Sequence, residues 1–445
     1  MKLLAKYFLM LVTSISLLLS SYIGTCEATS SRDNGDIKNI IFLIGDGMGV
    51  SFTSGYRYFK DNPNTLELES TEFGPYLVGQ QTTFPNDPRH NVTDSAASAT
   101  AMATGVKTYN GAIGIGNDHA KLKSVLEAAK EKGKGTGLVA TAQITHGTPA
   151  AFGAHVAMRK SMSAIADDYY QDLVNGHHKI DVLLGGGAEW FIRNDRNLVG
   201  EFVKDGYSYV RNLEEMQNDH NPQVLGLFAK RGLPKMIDRP KGIPSLAEMA
   251  GSAIERLSKN DNGFFLMIEG SQIDWAGHDN DIVGVMSEME DFEKAFKTAI
   301  DFAKKDGHTL VIATADHSTG GYTIGAQGQY NWFSSVIKAV KRTPDYIAAK
   351  IINGADIKET LTKYIEFPLT QNEIKAVQSA AKTHKARNID NVIEEIINTR
   401  SLTGWTTKGH TGEDVNVYAY GPGSQQFRGQ IDNTDHAKII FDILK

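Results

Sequence analysis

The chain has 445 residues, with Lys plus Arg 46 against Asp plus Glu 52 and a formal net charge of −6. That balance is slight for the length and leaves no basic excess for a nucleic-acid-binding surface, while the length allows two or three domains or one big α/β unit. Cys26 is the single cysteine, so no intrachain disulfide can form and stability must come from the core and from any bound metal.

The N-terminus predicts an export signal over residues 1–28. Lys2 and Lys6 supply its positive end, Phe8 to Leu19 its apolar centre and Cys26-Glu-Ala28 a small-residue cleavage site. A polar spacer covers 29–36. Ile23-Gly-Thr-Cys26 weakly resembles a lipobox, which would make Cys26 a lipid anchor, although Thr25 fits that pattern poorly. No later stretch reaches membrane-spanning length. The expected location is therefore secreted or extracytoplasmic, with association to the cell envelope as the variant.

Asn39 to Ile44 is an apolar run of strand length, followed at once by Gly45-Asp46-Gly-Met-Gly49. A carboxylate just past a buried strand is where open α/β sheets place ligand groups. A helix is expected from about Ser51 to Lys60. Asn91-Val-Thr-Asp94-Ser95 then opens a run of small residues, Ala96 to Ala103, that stops at Gly105. Asp94 is a good N-cap, and Ser95 stands at the positive end of the helix dipole, where an oxyanion or a serine alkoxide is stabilised.

The arrangement recurs. A helix over Leu122 to Glu131 leads to the strand Thr136–Thr141 and to Thr145-His146-Gly-Thr148-Pro149, with Thr148 expected as a helix cap. Ile180–Leu184 is a strand ending in Gly185-Gly-Gly187, read as a turn. Residues 195–245 are irregular. Leu246–Leu257 is helical and Gly263–Ile268 a strand, ending in Glu269-Gly-Ser-Gln-Ile-Asp274-Trp275-Ala-Gly-His278. A long amphipathic helix, Met286–Lys304, returns to the strand Thr309–Ala313 and Asp316-His317. Residues 320–400 break this rhythm and predict an inserted, helix-leaning subdomain. Gly409-His410-Thr-Gly-Glu413, the strand Val415–Tyr420 and a final helix over His436–Leu444 close the chain. The alternation predicts a doubly wound, mostly parallel sheet with helices on both faces.

The strand-end residues Asp46, Ser95, His146, Thr148, Glu269, Asp274, His278, Asp316, His317 and His410 offer hard oxygen and imidazole without thiolate. Such donors suit zinc, and magnesium or manganese at an all-oxygen site. Asp274 and His278, four apart, share one face of a helical turn. A lone histidine is more often structural; this many acidic and imidazole groups on one sheet edge are not.

Gly45-Asp-Gly-Met-Gly, Thr93-Asp-Ser-Ala-Ala-Ser-Ala-Thr-Ala, Glu269-Gly-Ser-Gln-Ile-Asp-Trp, Thr314-Ala-Asp-His and Gly409-His-Thr-Gly resemble, in order, the signatures of the alkaline phosphatases, most closely the secreted Bacillus type. The resemblance implies a phosphomonoester hydrolase of broad range, working through a phosphoserine on Ser95 with two Zn2+ and one Mg2+ per chain. It implies one zinc on Asp274, His278 and His410, a second on Asp46, Asp316 and His317, and a magnesium-like site on Asp46, Thr148 and Glu269. His146 would lie just behind that third site. Arg159 would clamp phosphate, which requires the chain to turn near Gly153 or His155, because an unbroken helix would carry it roughly 15 Å from Thr148. The enterobacterial pattern has aspartate where His146 stands and lysine where Trp275 stands, which leaves the identity of the third metal open. The resemblance also implies a homodimer. Competing readings are a related metallohydrolase acting on phosphodiesters or sulfate esters, and a secreted phosphate- or metal-binding protein without turnover.

Overall fold

β1 (Asn39–Gly45) is buried at every position, as a strand must be when parallel neighbours flank it and helices cover both faces. Its side chains alternate between two cores: Ile41 and Leu43 enter one apolar cluster, Ile40, Phe42 and Ile44 the other. Each such burial stabilises the fold by about 1.5 to 3 kcal/mol, so a charge introduced here would disrupt the sheet at its centre. The computed structural model describes residues 37–445. The predicted export signal, Cys26 and the spacer lie outside the described residues. No described helix is long and apolar enough to cross a membrane.

The other strands of the main sheet are β2 (Leu77–Thr82), β3 (Gly135–Gln143), β4 (Val182–Gly186), β5 (Ser208–Val210), β6 (Val224–Leu227), β7 (Phe264–Gly270), β8 (Thr309–Ala315), β9 (Val415–Tyr420) and β10 (Gly429–Asp432). Their spatial order is β10-β2-β9-β8-β1-β7-β3-β4-β6-β5. β9 is antiparallel to both neighbours, and the remaining pairs are parallel. The mostly parallel, doubly wound sheet expected from the alternation is therefore present.

Several local expectations are corrected. Residues 195–245 contain β5 and β6, short strands without a long apolar run. β2 and β10, rich in glycine and glutamine, form the opposite edge, where half-exposed strands need no apolar pattern. Gly185 and Gly186 belong to β4 rather than to a turn: a Cβ on Gly186 would lie 1.9 Å from the Arg231 carbonyl oxygen, so close backbone approach explains it. Only Gly187, at φ 100°, bends the chain. Thr148 is not the helix cap. The helix is Gly147–Gly153 with His146 at the N-cap, so Thr148 and Pro149 sit in the first turn, where free N–H groups make proline harmless. The helix expected from Leu122 begins at Val125, behind a Ser124–Glu127 capping box.

Residues 334–401 form five helices, the last being Ala386–Ser401. The excursion leaves beside Thr323–Ile324 and returns beside Thr403–Gly404, and these two segments pair antiparallel.

The Gly147–Gly153 helix stops at Ala154, whose backbone is extended. Val156 then pairs with Ile113, and Arg159 N donates to the Gly111 carbonyl at 2.8 Å. His155 anchors this turn. Its ring nitrogens lie 2.7 Å from the Gly114 carbonyl and 2.8 Å from Glu127 Oε1, while Lys179 Nζ lies 3.1 Å from the same Glu127 oxygen. Burial acts to raise the Glu127 carboxyl, but His155 and Lys179 outweigh it and hold the group at about 2 against 4.5. A depressed carboxyl contributes stability that is fully present above pH 4.5 and is lost as pH falls towards 2. Glu127→Gln is expected to cost about 3 kcal/mol at neutral pH and to flatten that acid limb. Urea denaturation at a series of acidic pH values measures both.

Candidate active site

β8, β1, β7 and β3 are consecutive in the sheet, and Gly45 is in register with Ala315 on one side and Gly270 on the other. Their C-terminal ends thus deliver Asp316-His317, Asp46, Glu269 and the turn bearing His146 to one edge. The helix Gln272–Asp279, starting just past β7, adds Asp274 and His278.

Ser95 arrives on the helix Ser95–Thr104, every residue of which is buried. Small side chains are what let a helix lie fully inside against its neighbours. Asp94 Oδ1 accepts from Ala97 N at 2.9 Å and caps the helix, and Gly105 ends it at φ 76°. Ser98 Oγ donates to the Asp316 carbonyl at 2.7 Å, fastening the helix to the end of β8.

Ser95 Oγ lies 3.1 Å from His317 Nε2 and 3.5 Å from Asp46 Oδ1. The same His317 nitrogen is 3.1 Å from Asp316 Oδ2. On its other side, His317 stacks on His410 with ring centres 3.6 Å apart. His410 Nε2 lies 3.1 Å from His278 Nε2 and 3.6 Å from Asp274 Oδ1. His410 Nδ1 faces the Thr93 carbonyl at 2.8 Å, and His278 Nδ1 faces that of Lys408. A carbonyl can only accept, so each Nδ1 carries the proton and each Nε2 lone pair points into the cluster, the tautomer a metal ligand needs.

Ligand atoms of Asp46, Asp316 and His317 fall within one ion's reach, as do those of Asp274, His317 and His410, and those of Asp46, His146 and Glu269. Asp46 Oδ2, Glu269 Oε1, Thr148 Oγ1 and His146 Nδ1 are buried without hydrogen-bond partners. Buried polar atoms are ordinarily satisfied. The oxygen orphans, gathered in one cluster, fit bound cations.

The electrostatics agree. Burial, followed by the charges of Asp316, Asp274 and Glu269, holds Asp46 well above the usual carboxylate range, and burial lifts Glu269 to about 7. Burial opposes ionisation of Asp274, yet its bond to His278 and the charges of His317 and His410 keep it low. Burial, then Arg159, lowers His146 to about 3, so that imidazole is neutral.

Arg159 is half-buried. Its NH1 donates to Asp94 Oδ2 at 3.0 Å and its NH2 lies 3.1 Å from His146 Nε2. Asp94 therefore both caps the serine helix and holds the arginine, a second role that its capping position did not reveal. Gly147 sits so close that a Cβ there would meet the guanidinium at 3.1 Å. Trp275 packs its ring against His146, with centres 5.6 Å apart, and its far edge against Gly232. Thr319, whose hydroxyl donates to Asp274, and Ser271, which donates to Glu269 at 2.6 Å, have no motif of their own to mark them.

A serine at a helix mouth, facing a buried carboxylate and imidazole cluster, with an arginine held by the carboxylate that caps the serine's helix, on the C-terminal edge of a doubly wound sheet, defines a metal-dependent phosphoester hydrolase. Comparison with known proteins narrows the class. A family model described as alkaline phosphatase matches residues 37–445, and the chain belongs to that family. It is 63% identical to alkaline phosphatase 3 of Bacillus subtilis over 95% of this chain and 92% of that one. Its fold matches a cold-active alkaline phosphatase from the psychrophile Shewanella sp. with a TM-score of 0.87 at 40% identity, covering 92% of this chain and 100% of the other. It also matches, at 31% identity and a TM-score of 0.68 over 92% of this chain and 98% of that one, a mutant alkaline phosphatase from the Antarctic bacterium TAB5 solved with Mg bound in its M3 site. The protein is a metal-dependent phosphomonoester hydrolase.

Proposed function

We propose that hydrolysis proceeds through a covalent phosphoserine on Ser95, with broad range over phosphomonoesters. The placement of Ser95 Oγ between Asp46 and His317 carries this reading. Ser95 Oγ attacks phosphorus in line with the departing alcohol oxygen, and water then cleaves the Ser95–phosphate bond from the face the alcohol left. Arg159, oriented by Asp94 and His146, pairs with two non-bridging oxygens of the phosphoryl group. The free N–H groups at the start of the Ser95 helix add positive potential where the serine alkoxide develops.

Two Zn2+ and one Mg2+ per chain fit the donor set. Asp46, Asp316 and His317 would hold the ion beside Ser95, Asp274, His278 and His410 the second, and Asp46, Thr148 and Glu269 the third. Bound there, the metals supply Lewis-acid neutralisation of the attacking, leaving and non-bridging oxygens. A ring nitrogen of His146 lies with Asp46 and Glu269, but Arg159 can only donate to Nε2, so the neutral ring carries its proton on Nδ1, and we assign His146 as a neutral side chain just behind the third site, supported by Trp275. His146→Asp with Trp275→Lys adds a negative charge and a lysine there. The pair is expected to shift the Mg2+ concentration for half-maximal activation by about tenfold or more. A titration indistinguishable from wild type would remove both residues from the third site.

Rates on paired aryl phosphate monoesters, diesters and sulfates, together with metal analysis of the same preparation, test the reaction class. Diester or sulfate turnover exceeding monoester turnover would favour the related metallohydrolase. We further propose residues 37–445 as one catalytic domain with a helical insertion at about 320–400, an export signal over 1–28 that delivers the enzyme outside the cytoplasm, and a homodimer. Signal cleavage is read by N-terminal sequencing and assembly by sedimentation.

A further inference from the structure

Asp390, Glu394 and Asn398 follow one another at four-residue intervals along the helix Ala386–Ser401, which sets them in one row. They are buried, at 1%, 4% and 7% exposure, yet Asp390 Oδ1, Glu394 Oε1 and Asn398 Oδ1 have no hydrogen-bond partner. Three unsatisfied oxygens in a row are costly unless something fills the space before them.

The charges around the row do not balance. Lys235 Nζ lies 2.7 Å from Asp345, 3.3 Å from Asp281 and 3.5 Å from Asp279. Arg387 pairs with Asp279 and, at 3.2 Å, with Asp390, while Lys408 Nζ stands 3.9 Å from Glu394 Oε2. Among the described residues, Asp279, Asp281, Asp345, Asp390 and Glu394 thus pair with Lys235, Arg387 and Lys408 alone, two positive charges short, and Asp345 and Asp390 hydrogen-bond to each other. Burial and the neighbouring carboxylates lift Asp390 to about 8 and Glu394 to about 9, so each holds a proton at neutral pH when no cation is near. A cleft of ≈ 490 Å³, lined by Glu394, Asn398, Asn280, Thr403 and Lys408, opens onto Glu394 and Asn398 from solvent.

We propose that this row holds a binding site for a hard divalent cation of the calcium class, seated between the free oxygens of Glu394 and Asn398, one helical turn apart, and entered through the cleft. The donors are oxygen only, which excludes a preference for zinc. Two side-chain oxygens beside an open cleft suit an ion that accepts roughly six to eight ligands in irregular geometry and completes its shell with water; magnesium demands a compact octahedron. The site is separate from the Ser95 cluster but adjoins it, because the Lys408 carbonyl accepts from His278 while its ammonium faces Glu394. A cation here would tie the helical excursion to the loop bearing His410.

The test uses enzyme replete in zinc and held in saturating magnesium, titrated with radioactive calcium chloride. The expected result is one calcium bound per chain and a melting temperature higher by a few degrees. In Glu394→Gln both effects disappear, while turnover of an aryl phosphate in calcium-free buffer stays at the wild-type level. Asn398→Asp adds ligand charge and tightens calcium binding about tenfold or more, which keeps the question open to measurement if Glu394→Gln fails to fold. Wild type that binds no more calcium than Glu394→Gln, a melting temperature indifferent to calcium, or an Asn398→Asp affinity equal to that of wild type would each overturn the site and leave the row neutralised by protons.

Discussion

Ser95→Ala is expected to lower kcat on an aryl phosphate by on the order of 10³-fold or more, with zinc and magnesium content unchanged. The size of the effect follows from what the substitution removes. Only one hydroxyl in the cluster is both fixed at a helix mouth and within 3.1 Å of His317 Nε2, and alanine leaves no nucleophile there. The side chains assigned to the metals sit at strand ends and on the Gly147–Gly153 and Gln272–Asp279 helices, none of which Ser95 supports. Residual turnover would come from direct attack of water on substrate held by Arg159 and the cluster. Acid quenching of the wild type with labelled phosphate should leave label on Ser95, and the variant should trap none. A variant that keeps full activity, or a wild type that traps no label, would sink the phosphoserine mechanism; a binding protein without turnover would give neither label nor product.

Much of the site was legible because its chemistry sits at the ends of apolar runs. Ile40 to Ile44 announces a buried strand, and a buried parallel strand must point its C-terminal end at a helix and a ligand edge, so Asp46 could be placed from the sequence. The same logic placed Glu269 and Asp316. The order of strands was not legible, since nothing in Asn39–Gly45 says that its neighbours are Phe264–Gly270 and Thr309–Ala315, hundreds of residues away. β2 and β10 escaped notice for a different reason: β10 is the edge strand and β2 lies next to it, both partly exposed, and residues such as Gln80 and Gln430 carry no apolar period. Nor could the sequence reveal that Asp94 holds Arg159 at 3.0 Å, because that contact spans 65 residues and uses the carboxylate oxygen that the helix cap leaves free.

Prolonged chelation is expected to abolish activity and to lower the melting temperature by on the order of 10 °C, more at alkaline than at acid pH. The argument starts from burial. Asp46, Glu269, Asp274 and Asp316 are 0 to 3% exposed and crowd one cluster, and with a single cysteine the fold has no disulfide to hold that cluster together. Stripped of metal, the cluster can relieve its repulsion only by taking up protons. Glu269, lifted to about 7 from 4.5, contributes stability that is fully present below pH 4.5 and is lost as pH rises through 7, and Asp46 shifts in the same direction. The stripped protein should therefore melt progressively lower from mildly acid to alkaline buffer, whereas the loaded enzyme, whose carboxylates are neutralised by cations rather than by protons, should lack that decline. Calorimetry of both forms at a series of pH values reads the difference, and adding zinc and magnesium back should restore activity and melting together. A melting temperature unmoved by the chelator would mean that the carboxylates are accommodated without cations, and the metal assignments for Asp46, Glu269, Asp274 and Asp316 would have to be withdrawn.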